Sequence, residues 1–232
     1  MSATLSRRMG AEFFGTAFLV CAVVGSGVMA ERLSGGSAAL ALLANTAATG
    51  AALLSLILTF GPISGAHLNP VVSVMDWMER GISGRDVALY LLAQVAGGIA
   101  GAVSAHAMFS LPLISISVHT RSGPAQIFSE FVATFGLLAV IWGVSRFQPA
   151  AIAAAVAAYI VAAYWFTAST SFANPAVTIA RCLSDTFAGI RPADVPWFIG
   201  AQFCGGFAAT LLFRWLAPAS RERAKELLIP RV

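Results

Sequence analysis

The chain has 232 residues, 58% of them hydrophobic and only 10% charged, with a net charge of +4. A soluble domain carries roughly 25% charged residues, so too few polar side chains exist here to cover a water-exposed globule. The basic residues form no stripe interleaved with aromatics, which sets nucleic-acid binding aside.

The composition is that of an integral membrane protein. A bilayer core of about 30 Å takes about 20 apolar residues per helix, which leaves room for roughly six spans. The apolar runs are long and continuous, without the alternation that a β-barrel requires. Cys21, Cys182 and Cys204 are odd in number and lie in apolar or interfacial stretches, so they read as small core residues and not as a disulfide frame. With no CxxC and no Cys/His cluster, neither a metal nor another cofactor is expected.

Six apolar segments are expected at about 9–30, 38–60, 87–109, 126–145, 150–168 and 196–216. Arg7 and Arg8 before the first imitate a signal peptide, but Glu12 interrupts the apolar region and the run is long enough to span, so it reads as a retained first helix. Residues 61–86 and 169–195 are too apolar for ordinary loops and too short to hold a full span. In the first of them Gly61, Pro62, Gly65 and Pro70 are expected to break any continuous helix. Helical spacing then resumes from Asn69 to Met78, and in the other insert from Asn174 to Leu183. About ten helical residues cover roughly 15 Å, half the hydrocarbon thickness. Asn69-Pro70-Val71 and Asn174-Pro175-Ala176 therefore each open a half-helix, with asparagine capping free N–H groups and proline at the first helical position.

The halves match in order. Glu12 and Glu130 stand near the start of the first helix of each half, the Asn-Pro tripeptides follow, and Gln94-Val95-Ala96-Gly97-Gly98 answers Gln202-Phe203-Cys204-Gly205-Gly206. Three spans per repeat is an odd number, so the second copy enters from the opposite face. This gives an all-α membrane protein with six transmembrane helices and two re-entrant half-helices in an inverted-topology repeat. A single transmembrane domain is expected over 1–232, with repeats at about 9–109 and 126–216 and a cytoplasmic tail at 217–232. With both termini cytoplasmic, ten of the fourteen basic residues (Arg7, Arg8, Arg80, Arg85, Arg146, Arg214, Arg221, Arg223, Lys225 and Arg231) fall on the inner face of a cell membrane. The outer face then has Arg32, Arg121, Arg181 and Arg191. That asymmetry follows the positive-inside tendency. The basic tail reads as a solvated amphipathic end before it reads as a lipid-recognition segment.

Irregular backbone at membrane depth must be buried in protein or line a water-filled cavity. Two half-helices entering from opposite faces meet at Asn69 and Asn174, and each N-terminus carries about half a positive charge. Such a meeting point repels cations, while the asparagine amides donate to a neutral oxygen. The chemistry is that of a pore for uncharged, hydrogen-bonding solutes.

At this point the chain resembles the aquaporin or major intrinsic protein family over essentially all of 9–216. Ser64-Gly65-Ala66-His67-Leu68-Asn69-Pro70 is similar to the first pore motif and Ser171-Phe172-Ala173-Asn174-Pro175-Ala176 to the second. The resemblance implies a tetramer with one pore per protomer and passive flux across the bilayer. It implies that Glu12, Glu130 and His67 support the loops, and that carbonyls of Gly65, Ala66, His67 and Leu68 line the inner half of the pore.

Two departures stand out. Val71 replaces the usual alanine, enlarging a packing contact between the half-helix tips, and Val177 stands where the family usually has its filter arginine. Arg181, one helical turn later, is expected to face solvent or the protein. Carried over by offset, the filter positions are Thr49, Ala162, Ser171 and Val177. Such a ring is small, weakly polar and without fixed charge, so the expected solutes extend from water to glycerol, urea and metalloid hydroxides such as arsenous acid. Arginine-free bacterial relatives are associated with arsenicals, which makes a metalloid or organoarsenical solute the leading specific expectation.

Asp76, with Glu79, Arg80 and Arg85, reads as a solvated helix end; His106 and His119 read as interfacial. Gly97, Gly98, Gly101, Gly205 and Gly206 read as close helix packing. A secondary active transporter is the alternative, since inverted repeats build those too, but Glu12 and Glu130 are the only plausible coupling carboxylates and lie towards helix starts. An intramembrane enzyme is not expected, because no GxSxG or HExxH occurs.

Overall fold

The computed structural model describes residues 3–217. The basic tail beyond Ala217, including Arg221, Arg223, Lys225 and Arg231, lies outside the described residues. Among the described residues eight α-helices follow one another: α1 Leu5–Leu33, α2 Ala38–Ser64, α3 Pro70–Met78, α4 Gly84–Met108, α5 Pro124–Phe147, α6 Ile152–Phe166, α7 Pro175–Arg181 and α8 Val195–Leu216. Short 3-10 turns at Pro149–Ala151 and Pro192–Asp194 lead into α6 and α8. Six of these segments are long and apolar enough to cross a membrane. The chain is a multi-pass membrane protein.

The two short helices are the half-spans. At about 1.5 Å per residue, the 9 residues of α3 and the 7 of α7 cover roughly 13 Å and 10 Å. Each begins with proline, and the asparagine before it caps the turn. Asn69 Oδ1 accepts from Val71 N at 2.9 Å, and Asn174 Oδ1 accepts from Ala176 N at 3.0 Å and Val177 N at 3.3 Å.

The expected break at Gly61-Pro62 is corrected. Pro62 lies within α2, which runs on to Ser64 and ends only at Gly65, in the left-handed region at φ 91° with its N–H bonded to Gly61 O. A proline one turn from a helix end removes a single backbone bond, whereas the left-handed residue redirects the chain.

The first repeat is α1, α2, α3 and α4, and the second is α5, α6, α7 and α8. Within each, the first and last helices pack most extensively, α1 on α4 and α5 on α8. Glycines permit that approach: a Cβ on Gly97 or Gly101 would collide with the carbonyl oxygen of Phe13 or Ala17, and one on Gly205 with that of Phe131. Across the repeats α2 meets α6, α4 meets α7 and α3 meets α8. The face bearing the start of α1 is called proximal here. Glu79, at the end of α3, binds Arg214 there at 2.7 Å, with Arg146 at 3.8 Å. On the distal face His106 joins the loops, with its ring nitrogens 2.7 Å from Pro112 O and 2.8 Å from Ser184 Oγ. His106 is buried among these loops, while His119 lies exposed in the distal loop.

Candidate functional site

The half-helix tips meet at the centre and clasp each other through their asparagines. Asn69 Nδ2 donates to Ala173 O and Asn174 Nδ2 to Leu68 O, both at 2.7 Å. Each primary amide has a second N–H, and both asparagines line the same cavity.

The chain descends to each tip through backbone that helices do not use. Ala66 and Leu68 on one side, and Thr170, Ser171 and Ala173 on the other, have φ between 45° and 59°. These left-handed conformations are costly for residues with a Cβ, and a buried carboxylate holds each approach. Glu12 Oε1 accepts from His67 N at 3.0 Å and Ser64 Oγ at 2.6 Å, and its Oε2 from Leu68 N at 2.7 Å and Gln94 Nε2 at 2.8 Å. Glu130 accepts from Phe172 N and Ala173 N, each at 2.9 Å, and from Gln202 Nε2 at 2.6 Å. The glutamines then reach Ser73 Oγ and Thr178 Oγ1, at 2.9 Å in both repeats. The loop backbone thus turns its N–H groups to the carboxylates. Gly65, Ala66, His67 and Leu68 border the cavity, although the Leu68 carbonyl is already taken by Asn174.

His67 touches Ser73 Oγ at 3.0 Å through Nδ1, and its Nε2 lies 3.4 Å from Asp76 Oδ2. Asp76 is therefore not part of a solvated helix end. It is 1% exposed and stands beside the imidazole, because α3 turns its last inward face towards the loop.

The cavity of about 80 Å³ is several times what one water needs, roughly 15 Å³. Its polar border comprises Thr49, Ser171, Tyr164, Arg181 and the asparagine tips, and much of the remainder is aliphatic, with Ile57, Val72, Leu137, Ile141, Val156 and Ile160. Of the four filter positions, Thr49, Ser171 and Val177 line it and Ala162 does not. Ala162 is on the outer, exposed side of α6. Tyr164 faces the cavity instead and donates its hydroxyl to Thr49 Oγ1 at 3.3 Å. Two residues rotate a helix by about 200°, so an offset counted across an irregular loop exchanges an outward position for an inward one.

Arg181 does not face solvent. It is 2% exposed and lines the cavity; Cζ lies 3.4 Å from the centre of the Phe172 ring and Nε donates to Ala188 O. The sequence held the signal for this: residues four apart share a helix face, so Arg181 follows Val177 on α7. Phe172, part of the second pore motif, is also in the lining.

Comparison with known proteins agrees with this geometry. The family model described as MIP, major intrinsic protein, matches residues 1–148. The chain is 53% identical over 217 residues to aquaglyceroporin AqpS of Rhizobium meliloti (strain 1021), covering 94% of this chain and 93% of that one. The chain belongs to the major intrinsic protein family. Probable aquaporin AqpM of Archaeoglobus fulgidus is 29% identical over 244 residues, covering 94% of this chain and 99% of its own. The X-ray structure of the aquaglyceroporin from Plasmodium falciparum superposes with a TM-score of 0.74 at 20% identity, covering 92% of this chain and 97% of that one, a likeness of fold. Major intrinsic proteins are membrane channels.

Proposed function

We propose that the chain is a passive channel for small uncharged solutes larger than water, such as glycerol, urea and metalloid hydroxides including arsenous acid and organoarsenicals. The observation that carries this reading is Val177, a buried aliphatic residue lining the cavity with Thr49 and Ser171. Diameter, lining donors and the electrostatic barrier decide what such a pore passes. Valine in place of an arginine at position 177 leaves width for a polyol beside Thr49 and Ser171, although Tyr164 and Arg181 share the lining, and an aliphatic wall opposite a few donors suits a solute with one polar and one apolar edge. The name of the Rhizobium relative, an aquaglyceroporin, agrees with a solute larger than water. The fixed charge expected to be missing from the filter is displaced by one helical turn, from position 177 to Arg181.

Glu12 and Glu130 are loop supports in this proposal. Each is fully buried and accepts hydrogen bonds from the backbone it steadies. A carboxylate so committed is poorly placed to couple an ion, which favours a channel over a secondary active transporter. The protomer sits in the cell membrane with both termini cytoplasmic, as one conducting unit of a homotetramer.

Stopped-flow light scattering on proteoliposomes tests the substrate class, with water, glycerol, urea and arsenous acid as solutes. Val177→Arg restores bulk and charge to the ring and is expected to suppress the larger solutes more than water. Equal suppression of all solutes, or none, removes Val177 from the filter.

A further inference from the structure

The charge of Arg181 is only partly balanced by its surroundings, with Glu130 acting on it from a distance and Phe172 lying against it. Among the described residues no carboxylate lies within 4.0 Å of its guanidinium, and its side chain makes a single hydrogen bond, from Nε to Ala188 O. The Nη1 and Nη2 fork has no protein acceptor among the described residues, on a side chain 2% exposed that borders the cavity. Phe172 beneath the guanidinium plane and Ala188 at its base fix the direction of the fork. Ser171 Oγ, in the same lining, is buried and likewise without a partner. A second guanidinium, that of Arg121, stands 5.0 Å from the same Phe172 ring, and its donors go to the carbonyls of Gly189, Ser169 and Phe187. The nearby Glu130 has both oxygens engaged by Phe172, Ala173 and Gln202.

A buried cation left unpaired is costly unless something meets it. A planar fork held from one side and open on the other matches the spacing of two oxygens on one centre. From this arrangement we infer that the distal part of the cavity is a subsite for a small singly charged oxyanion, held by the Arg181 fork and the Ser171 hydroxyl. The occupant competes with neutral solutes for the pore. The inference rests on the channel reading above and adds a ligand class that the reading does not contain.

Methanesulfonate is the probe, because it stays ionised and does not cross lipid as a neutral acid. Dimethyl sulfone, of similar shape and no charge, is its control. Methanesulfonate outside the proteoliposomes is expected to slow glycerol flux in a saturable way, and dimethyl sulfone to leave it unchanged. Arg181→Gln should raise the concentration needed for block by about ten-fold or more, and Ser171→Ala by a smaller factor. Arg181→Lys keeps the charge without the fork and should fall between wild type and Arg181→Gln. If Arg181→Gln does not insert, the order of wild type, Ser171→Ala and Arg181→Lys decides. The subsite is overturned if methanesulfonate does not block, if the neutral sulfone blocks equally, or if the variants block like wild type. Isothermal titration of methanesulfonate into detergent-purified protein separates the two readings. Absent glycerol flux with retained, Arg181-dependent binding removes the channel proposal alone; intact flux without binding removes the subsite alone.

Discussion

Val71 on α3 fills the space into which a Cβ on Gly206 of α8 would project. The two residues belong to different repeats, and Val71 is fully buried. Its extra methyl groups, relative to the alanine usual in the resembling motif, are taken up by a glycine on a neighbouring helix. The equivalent contact in the other repeat is tight without a valine: a Cβ on Gly98 would stand 3.2 Å from Ala176 O.

Gly206→Ala is therefore expected to overpack this junction, at a cost of about 1–3 kcal/mol. Val71→Ala should recover much of it, giving a coupling of about 0.5–3 kcal/mol in a double-mutant cycle. Unfolding of the detergent-solubilised protein, followed by tryptophan fluorescence, reads both. Additive effects would mean that the two side chains do not compete for one space.

Glu130→Gln replaces an acceptor that serves three donors with a group that must turn an N–H₂ towards one of them. Loss of a bond to a charged acceptor costs about 1.5–3 kcal/mol. We expect faster amide exchange at Phe172 and Ala173 and lower solute flux, with little change at the corresponding amides of His67 and Leu68. Exchange rising equally in both loops would show that Glu130 acts on the whole fold and not on its own loop.

Thr49 and Tyr164 bring α2 and α6 together across the cavity through a hydroxyl pair at 3.3 Å. Thr49→Phe places a ring in this space and should reduce glycerol and urea flux by about ten-fold or more while sparing water, since exclusion by size acts first on the larger solutes. Ala162→Phe, on the exposed side of α6, should leave the ratio of the fluxes unchanged. If Ala162→Phe alters that ratio and Thr49→Phe does not, the assignment of the lining is reversed.

His119, in the distal loop, is held below the ordinary imidazole pKa by desolvation from the surrounding loops, then by the nearby charges of Arg121 and Arg181. Asp185 and Glu31 pull in the opposite direction. Its titration midpoint, read by NMR, should fall below about 6.5, and Arg121→Met should move it upwards. With the folded value depressed, the unfolded chain binds more protons. The contribution of His119 is therefore intact above the unfolded pKa and is lost as pH falls through that value towards the folded one. A midpoint at or above the ordinary value would contradict this arrangement of charges.

The spans, the two half-helices and their pairing could be read before any coordinates, because each rests on a local signal. Hydropathy over about 20 residues marks a span, and asparagine followed by proline marks a half-helix start whatever surrounds it. Asn69, Asn174, Ser171 and Val177 all line the cavity, and their positions follow from the motifs themselves or from counts of three residues; Thr49, from a longer count, lines it too. Ala162 falls outside the lining: both long counts cross left-handed residues, Gly65, Ala66 and Leu68 before Asn69 and Thr170, Ser171 and Ala173 before Asn174, and only the second of them lands on the outward phase of its helix. Asp76 looked like a helix end by sequence neighbourhood, and only the folded loop brings His67 against it.

The sequence by itself determined a six-span membrane chain with an inverted pair of capped half-helices, since hydrophobic length and end-capping act within a few residues of each other. Tertiary structure decided which side chains face the conduit. That choice depends on helical phase and on neighbours distant in the chain: Phe172 and Ala188 aim Arg181, Gly206 admits Val71, and Thr49 draws in Tyr164. A one-dimensional pattern records where a helix begins. Which way its charge points is settled by the groups packed around it.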